Sequence, residues 1–151
     1  MVVVAFGSNR GDRHRLILEA AEQVASFLSG FRLSSLIETA PVGAGTHGDP
    51  LYLNAVGVGE SDLAAPDILA RLQAIEQAAG RTRPYPNAPR TLDLDLILSG
   101  SEILETGNLQ VPHPRFRDRR FVLGPLAGLA PDLIDPVSGM TVRELLARLT
   151  D

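Results

Sequence analysis

A chain of 151 residues, 44% hydrophobic and 21% charged, has the size and composition of one ordinary globular domain, which excludes an intrinsically disordered segment. It has no cysteine, so thiol nucleophiles, disulfides and iron–sulfur ligation are excluded, and all fourteen basic residues are Arg, so no Walker-A or Schiff-base lysine exists. A net charge of −4 argues against an extended nucleic-acid footprint, and no apolar run is long enough for a membrane span or is arranged as a secretion leader, so a cytoplasmic protein is expected.

Residues 2–6 are a continuous apolar run closed by Gly7, which predicts a central buried strand. Asp12 then caps a predicted helix whose Leu16, Ala20, Val24 and Leu28 share one face and which Gly30 stops. Alternation over residues 31–38 predicts a second strand. Residues 39–50 contain three Gly and two Pro and read as a functional loop. A third strand follows over 52–60, with Tyr52, Asn54, Val56 and Val58 on one side. Pro66 suits the first turn of a second helix carrying Ile68, Leu69, Leu72, Ile75 and Ala79, which Gly80 ends.

The chain then passes through a second irregular loop, residues 81–90, with Pro84, Pro86 and Pro89. It enters a fourth predicted strand over 92–98, where alternation puts Leu92, Leu94, Leu96 and Leu98 on the core face and Asp93, Asp95 and Ile97 on the other. Thr141 and Glu144 form a capping box that opens a last helix with Leu145, Leu146 and Leu149. This order is βαββαβ plus a tail, so the expected class is α+β, a ferredoxin-like sandwich with a helical C-terminal extension. With no repeat or linker dividing it, the chain reads as one domain, 1–151.

The chemistry is concentrated in a few places. Half of the arginines fall in two short stretches, Arg81, Arg83 and Arg90 in one and Arg115, Arg117, Arg119 and Arg120 in the other. Such a density suits a compact polyanion such as a triphosphate, though it also suits a solvated basic surface. Asp93 and Asp95 project side by side from one strand face at a backbone separation of about 6.5–7 Å, close enough to converge on a pair of Mg²⁺ ions. A solvent-facing edge strand would show the same pattern. Glu76 sits at the border of the apolar stripe of the second helix, three residues after Gln73, and needs a partner there: a neighbouring Arg such as Arg81, or a nucleotide. His113 stands between Pro112 and Pro114, ahead of four arginines. Tyr52 and Asn54 offer an aromatic face and an amide edge, or simply a structural pair, and Phe121 reads as a core residue.

Together these segments resemble a known family. Phe6-Gly7-Ser8-Asn9, Pro41-Val42-Gly43, Tyr52-Leu53-Asn54-Ala55, Gln73-Ala74-Ile75-Glu76, Gly80-Arg81-Thr82-Arg83, Pro89-Arg90-Thr91-Leu92-Asp93-Leu94-Asp95, Val111-Pro112-His113-Pro114-Arg115 and Phe121-Val122-Leu123-Gly124-Pro125-Leu126 are similar, in order, to the motifs of hydroxymethyldihydropterin pyrophosphokinase. The resemblance implies a ferredoxin-like fold and transfer of diphosphate from ATP to 6-hydroxymethyl-7,8-dihydropterin, with two Mg²⁺ ions. It implies metal binding by Asp93 and Asp95, with Asp95 also near the reacting hydroxyl, and stabilisation of the transferring phosphates by Arg81 and Arg90. Gln73, Glu76, Arg83, His113 and Arg119 match positions for ATP, and Thr39, Val42, Tyr52, Asn54 and Phe121 match the pterin pocket, with the ring stacked between Tyr52 and Phe121. The chain departs from some members in lacking a Trp in the 81–90 loop and in having Asn108 where an Arg can stand. The expected partners are therefore these small molecules, not nucleic acid or membrane.

Overall fold

The computed structural model describes residues 1–9, 12–39, 51–80 and 92–149. Its elements are β1 (Val2–Ser8), α1 (Arg13–Ala25), β2 (Ser29–Leu33), β3 (Ile37–Thr39), β4 (Tyr52–Glu60), α2 (Ala65–Gly80), β5 (Asp93–Ser99), β6 (Leu104–Thr106), β7 (Leu109–Val111), α3 (Arg120–Leu129) and α4 (Val142–Arg148). A short 3-10 helix, Phe116–Asp118, precedes α3. The main sheet runs β2-β4-β1-β5, with β3 also paired to β4, and every pairing is antiparallel. The fourth, first, third and second predicted strands thus lie in ferredoxin-like order, and the α+β class holds.

Alternation along β1 explains the layers. Val2, Val4 and Phe6 enter a core with Ile17, Ala20 and Val24 of α1 and Ile68, Leu72 and Ile75 of α2. Val3 points the other way, into a core with Val56, Val58 and Ile97 of the sheet, Val122, Leu123 and Leu126 of α3, and Val142 and Leu145 of α4. The C-terminal extension is therefore a third layer, covering the face that a two-layer ferredoxin-like sandwich leaves to solvent.

Four local expectations need correction. Helix α1 ends at Ala25 and not at Gly30, because Ser26 Oγ donates to Gln23 O at 2.6 Å and both Phe27 and Leu28 N–H turn back onto Val24 O. Gly30 instead lies in β2 at φ 63, inside the register shift between Ser29 and Arg32. The second predicted strand is broken into β2 and β3, since Ser34 Oγ, a side-chain atom, accepts the Val56 N–H at 2.9 Å. The fourth correction concerns β5, where the pairing Val3↔Leu98 is followed by Val4↔Leu96. Ile97 is an extra residue, and this bulge moves Leu98 off the face of Leu92, Leu94 and Leu96 and into the second core beside Ile97.

Candidate active site

The pairing register assembles the site. Across the sheet, Asn54 lies opposite both Ile37 and Gly7, and Gly7 lies opposite Asp93; one step on, Ala5 lies opposite Val56 and Asp95. Directly paired residues share a face, so Asn54, Asp93 and Asp95 all project toward the α3 side, with Asn54 and Asp93 about 10 Å apart across one intervening strand. The intervening residue has no side chain. A Cβ on Gly7 would meet Asn54 Oδ1 at 3.5 Å, so glycine leaves the floor between amide and carboxylate clear.

On the amide side, Thr39 pairs with Tyr52, and Asn54 Nδ2 donates to Thr39 Oγ1 at 2.6 Å. Thr39, Tyr52 and Asn54 are thereby brought together, with Asn54 buried and Tyr52 half-buried. Phe121, in the first turn of α3, packs against the same core. The Arg119 guanidinium carbon lies 5.6 Å over the Phe121 ring, a cation–π contact that places Arg119 beside the aromatic wall.

On the carboxylate side, Asp93 is half-buried and Asp95 exposed. Between them the strand's outer edge is occupied: Leu94 N–H donates to Glu76 Oε2 at 2.8 Å. Glu76 thus ties α2 to β5, a partner that neither sequence-based alternative named, while Gln73 is exposed on the same helix. Further along the same edge, the bulge carbonyl of Ile97 accepts His113 N–H at 2.9 Å. This anchors His113 within electrostatic reach of Asp95 and Arg119. Burial holds the imidazole below its ordinary value of 6.5, and Arg119 and Arg115 push the same way against the pull of Asp95. Arg115 N–H donates to His113 Nδ1 at 3.2 Å, so the neutral ring carries its proton on Nε2 and offers a donor there.

Two carboxylates on one face suit Mg²⁺, which keeps several waters and takes oxygen ligands from a bound triphosphate. Among the described residues no cluster of three or more acidic or histidine side chains forms a complete protein-only cage. Val42, Arg81, Arg83 and Arg90 lie outside the described residues.

A model of the 7,8-dihydro-6-hydroxymethylpterin-pyrophosphokinase family matches residues 3–131. The chain belongs to that family. A 2-amino-4-hydroxy-6-hydroxymethyldihydropteridine pyrophosphokinase of Pseudomonas aeruginosa is 41% identical over 155 residues, covering 97% of this chain and 90% of the relative. The folic acid synthesis protein fol1 of Pneumocystis carinii is 33% identical over 99% of this chain, which spans only 20% of that longer protein. Among solved structures, a Plasmodium falciparum HPPK-DHPS chain superposes with a TM-score of 0.75 at 14% identity, covering 97% of this chain and 42% of that one. This pyrophosphokinase-family domain thus recurs within longer polypeptides, and the distant likeness establishes the ferredoxin-like fold.

Three contributors escaped the sequence reading. Arg13 donates to Leu51 O at 2.7 Å and to Glu38 Oε2 at 3.2 Å, clamping the chain just before Thr39 to the chain just before Tyr52. Its position at the start of a helix gave no hint of that reach. Arg117, half-buried within the His113–Arg119 segment, pairs with the fully buried Asp135, and an Asp in an Asp-Pro-x-x-Gly turn gives no sequence signal of burial. The bulge at Ile97 had no sequence signal beyond one apolar residue on the wrong side.

Proposed function

We propose that this chain transfers the terminal diphosphate of ATP to the hydroxymethyl group of 6-hydroxymethyl-7,8-dihydropterin, leaving AMP, as a single 1–151 domain of a cytoplasmic folate pathway. The carrying observation is the shared face that puts Thr39, Tyr52 and Asn54 at one end of a row and Asp93 and Asp95 at the other. The pterin ring lies between Tyr52 and Phe121 with its edge read by Asn54, which points its hydroxymethyl arm along the Gly7 floor toward the carboxylates. Val42 belongs to the same pocket by its motif.

The nucleotide lies along the β5 edge, near Gln73 and Glu76, with His113 Nε2–H and the Arg119 guanidinium donating to its phosphates; Arg83 is assigned to the nucleotide by its motif alone. The pterin hydroxyl oxygen bonds to the β-phosphorus in line, losing its proton as the bond from that phosphorus to the AMP oxygen breaks. Arg81 and Arg90 meet the charge that develops on the transferring group. Asp93 and Asp95 would hold two Mg²⁺ ions, which supply neutralisation of the triphosphate and alignment of its oxygens. Excluding water from this face is required, because hydrolysis of ATP competes with transfer.

The test is incubation with ATP, Mg²⁺ and the reduced pterin alcohol, separating the nucleotide products. AMP in equal amount with a diphosphorylated pterin is expected. ADP, free pyrophosphate or an unchanged pterin overturns the reading.

A further inference from the structure

Asp135 is fully buried, at 0% exposure, and lies beyond residue 131, where the match to the family model ends, though within the length aligned with the relatives. Its carboxylate accepts a two-pronged pair from Arg117, Nε to Oδ2 at 2.6 Å and Nη2 to Oδ1 at 2.9 Å. Ser138 Oγ donates to Oδ2 at 2.7 Å and Val137 N–H to Oδ1 at 3.1 Å, so both oxygens carry two donors. The turn around it is closed by Asp135 N–H to Met140 O at 2.9 Å and Gly139 N–H to Asp135 O at 2.8 Å. Directly after it, the Thr141 cap starts α4, whose Val142 and Leu145 are locked in the second core. Asp135 is therefore an anchor that cannot move without the third layer moving.

The group it holds occupies a particular place. Arg117 is the middle residue of the 3-10 helix, between His113 and Arg119, with its guanidinium carbon 4.8 Å over the Phe116 ring. Backbone bonds of its neighbours bracket it on both sides: Phe116 N–H to His113 O at 3.4 Å, Asp118 N–H to Arg115 O at 3.1 Å, and Arg119 N–H to Phe116 O at 3.2 Å. A shift of Arg117 is thus a shift of His113 at one end and Arg119 at the other.

We propose that Asp135 is a positioning residue for the nucleotide, holding through Arg117 the arm that presents His113 and Arg119. This rests on the reading that those two side chains meet ATP. A buried ion pair gains little net stability over apolar packing, whereas a two-pronged fork fixes orientation, and orientation is what a phosphate-binding arm needs. Burial alone would raise the Asp135 carboxyl, but the bonds from Arg117, Ser138 and Val137 bring it down to about 2, so the anchor stays charged wherever the enzyme works. The C-terminal layer then contributes to substrate affinity as well as to folding.

The test separates orientation from stability. The double variant Arg117→Met with Asp135→Asn removes both charges together, leaves no buried unpaired carboxylate, and keeps an acceptor for the Val137 N–H. Affinities for a non-hydrolysable ATP analogue and for the pterin are measured separately, beside the melting temperature. The expected result is a folded variant whose ATP-analogue Kd rises about tenfold while its pterin Kd stays within about twofold. Arg117→Lys, which keeps the charge but not the fork, should fall between the two and decides the matter if the double variant does not fold. An unchanged ATP-analogue Kd in either folded variant, or equal weakening of both ligands, overturns the proposal. His113→Ala and Arg119→Ala serve as controls. If they leave ATP-analogue affinity unaltered, the nucleotide assignment itself fails and carries the proposal with it; if they weaken binding and the Asp135 variants do not, only the positioning role falls.

Discussion

Asn54 has one amide hydrogen committed to Thr39 Oγ1 and its oxygen directed over Gly7, so its remaining capacity faces the pocket. Asn54→Ala should therefore weaken pterin binding by about 1–3 kcal/mol, the cost of unpairing buried polar groups, and leave ATP affinity unchanged. Titrating each ligand separately checks this; parallel losses would remove Asn54 from the pterin side. Asp95 is a different case, since it is exposed and has Asp93 two residues away on the same face. Two like charges on one strand face repel, so Asp95→Asn should leave the melting temperature without Mg²⁺ equal to or slightly above wild type while turnover collapses. Melting and turnover measured on one sample, with Mg²⁺ varied, decide it. A variant that unfolds early without Mg²⁺, or that turns over normally, would mean the pair is structural. Both residues were legible in the sequence because strand alternation fixes sides. The 3-10 arm was not, because its geometry depends on a partner eighteen positions away in the chain.

At the level of elements, close crossings set the limits. A Cβ on Gly59 would stand 2.8 Å from Leu28 Cβ and 3.2 Å from Ser29 O, where the link from α1 into β2 passes over β4. Backbone cannot give way as a side-chain tip can, so Gly59→Ala should destabilise the fold by about 1–3 kcal/mol, read as a lower urea midpoint with unchanged slope. The elements that sequence revealed are those whose own pattern is regular: β1, β4, α2 and the capped α4. Helix α3 was hidden by Pro125 in its interior, although Val122 and Leu126 keep helical spacing. The β6–β7 hairpin does carry a sequence signal, Gly107-Asn108 as a two-residue turn between Leu104/Thr106 and Leu109/Val111. Ser34 could not be anticipated as a strand breaker, since a serine interrupts a ladder only when a particular N–H is there to take its hydroxyl.

For the molecule as a whole, the third layer is attached partly by charge, and that attachment has a pH limit. The Asp135 carboxyl titrates at about 2 in the folded protein against an ordinary 3.8, so its contribution to stability, on the order of 2 kcal/mol, is full above pH 4 and is lost as pH falls toward 2. The stability gap between wild type and Asp135→Asn should accordingly narrow across that window, as followed by urea unfolding at successive pH values. A gap that stays constant down to pH 2 would mean that the carboxylate's charge is not what holds the layer. The two layers of helices also depend on a matter of phase. Six residues of β1 face seven of β5, so the strand is out of step with itself on either side of Ile97: one end of it addresses α2 and the carboxylate pair, the other addresses α3 and α4. Substituting Ile97 by another apolar residue preserves that offset. Deleting it would leave six residues facing six, with Leu98 still opposite Val3, but the carbonyl that docks His113 would disappear, so at this point the fold reads the length of the chain more strictly than its letters.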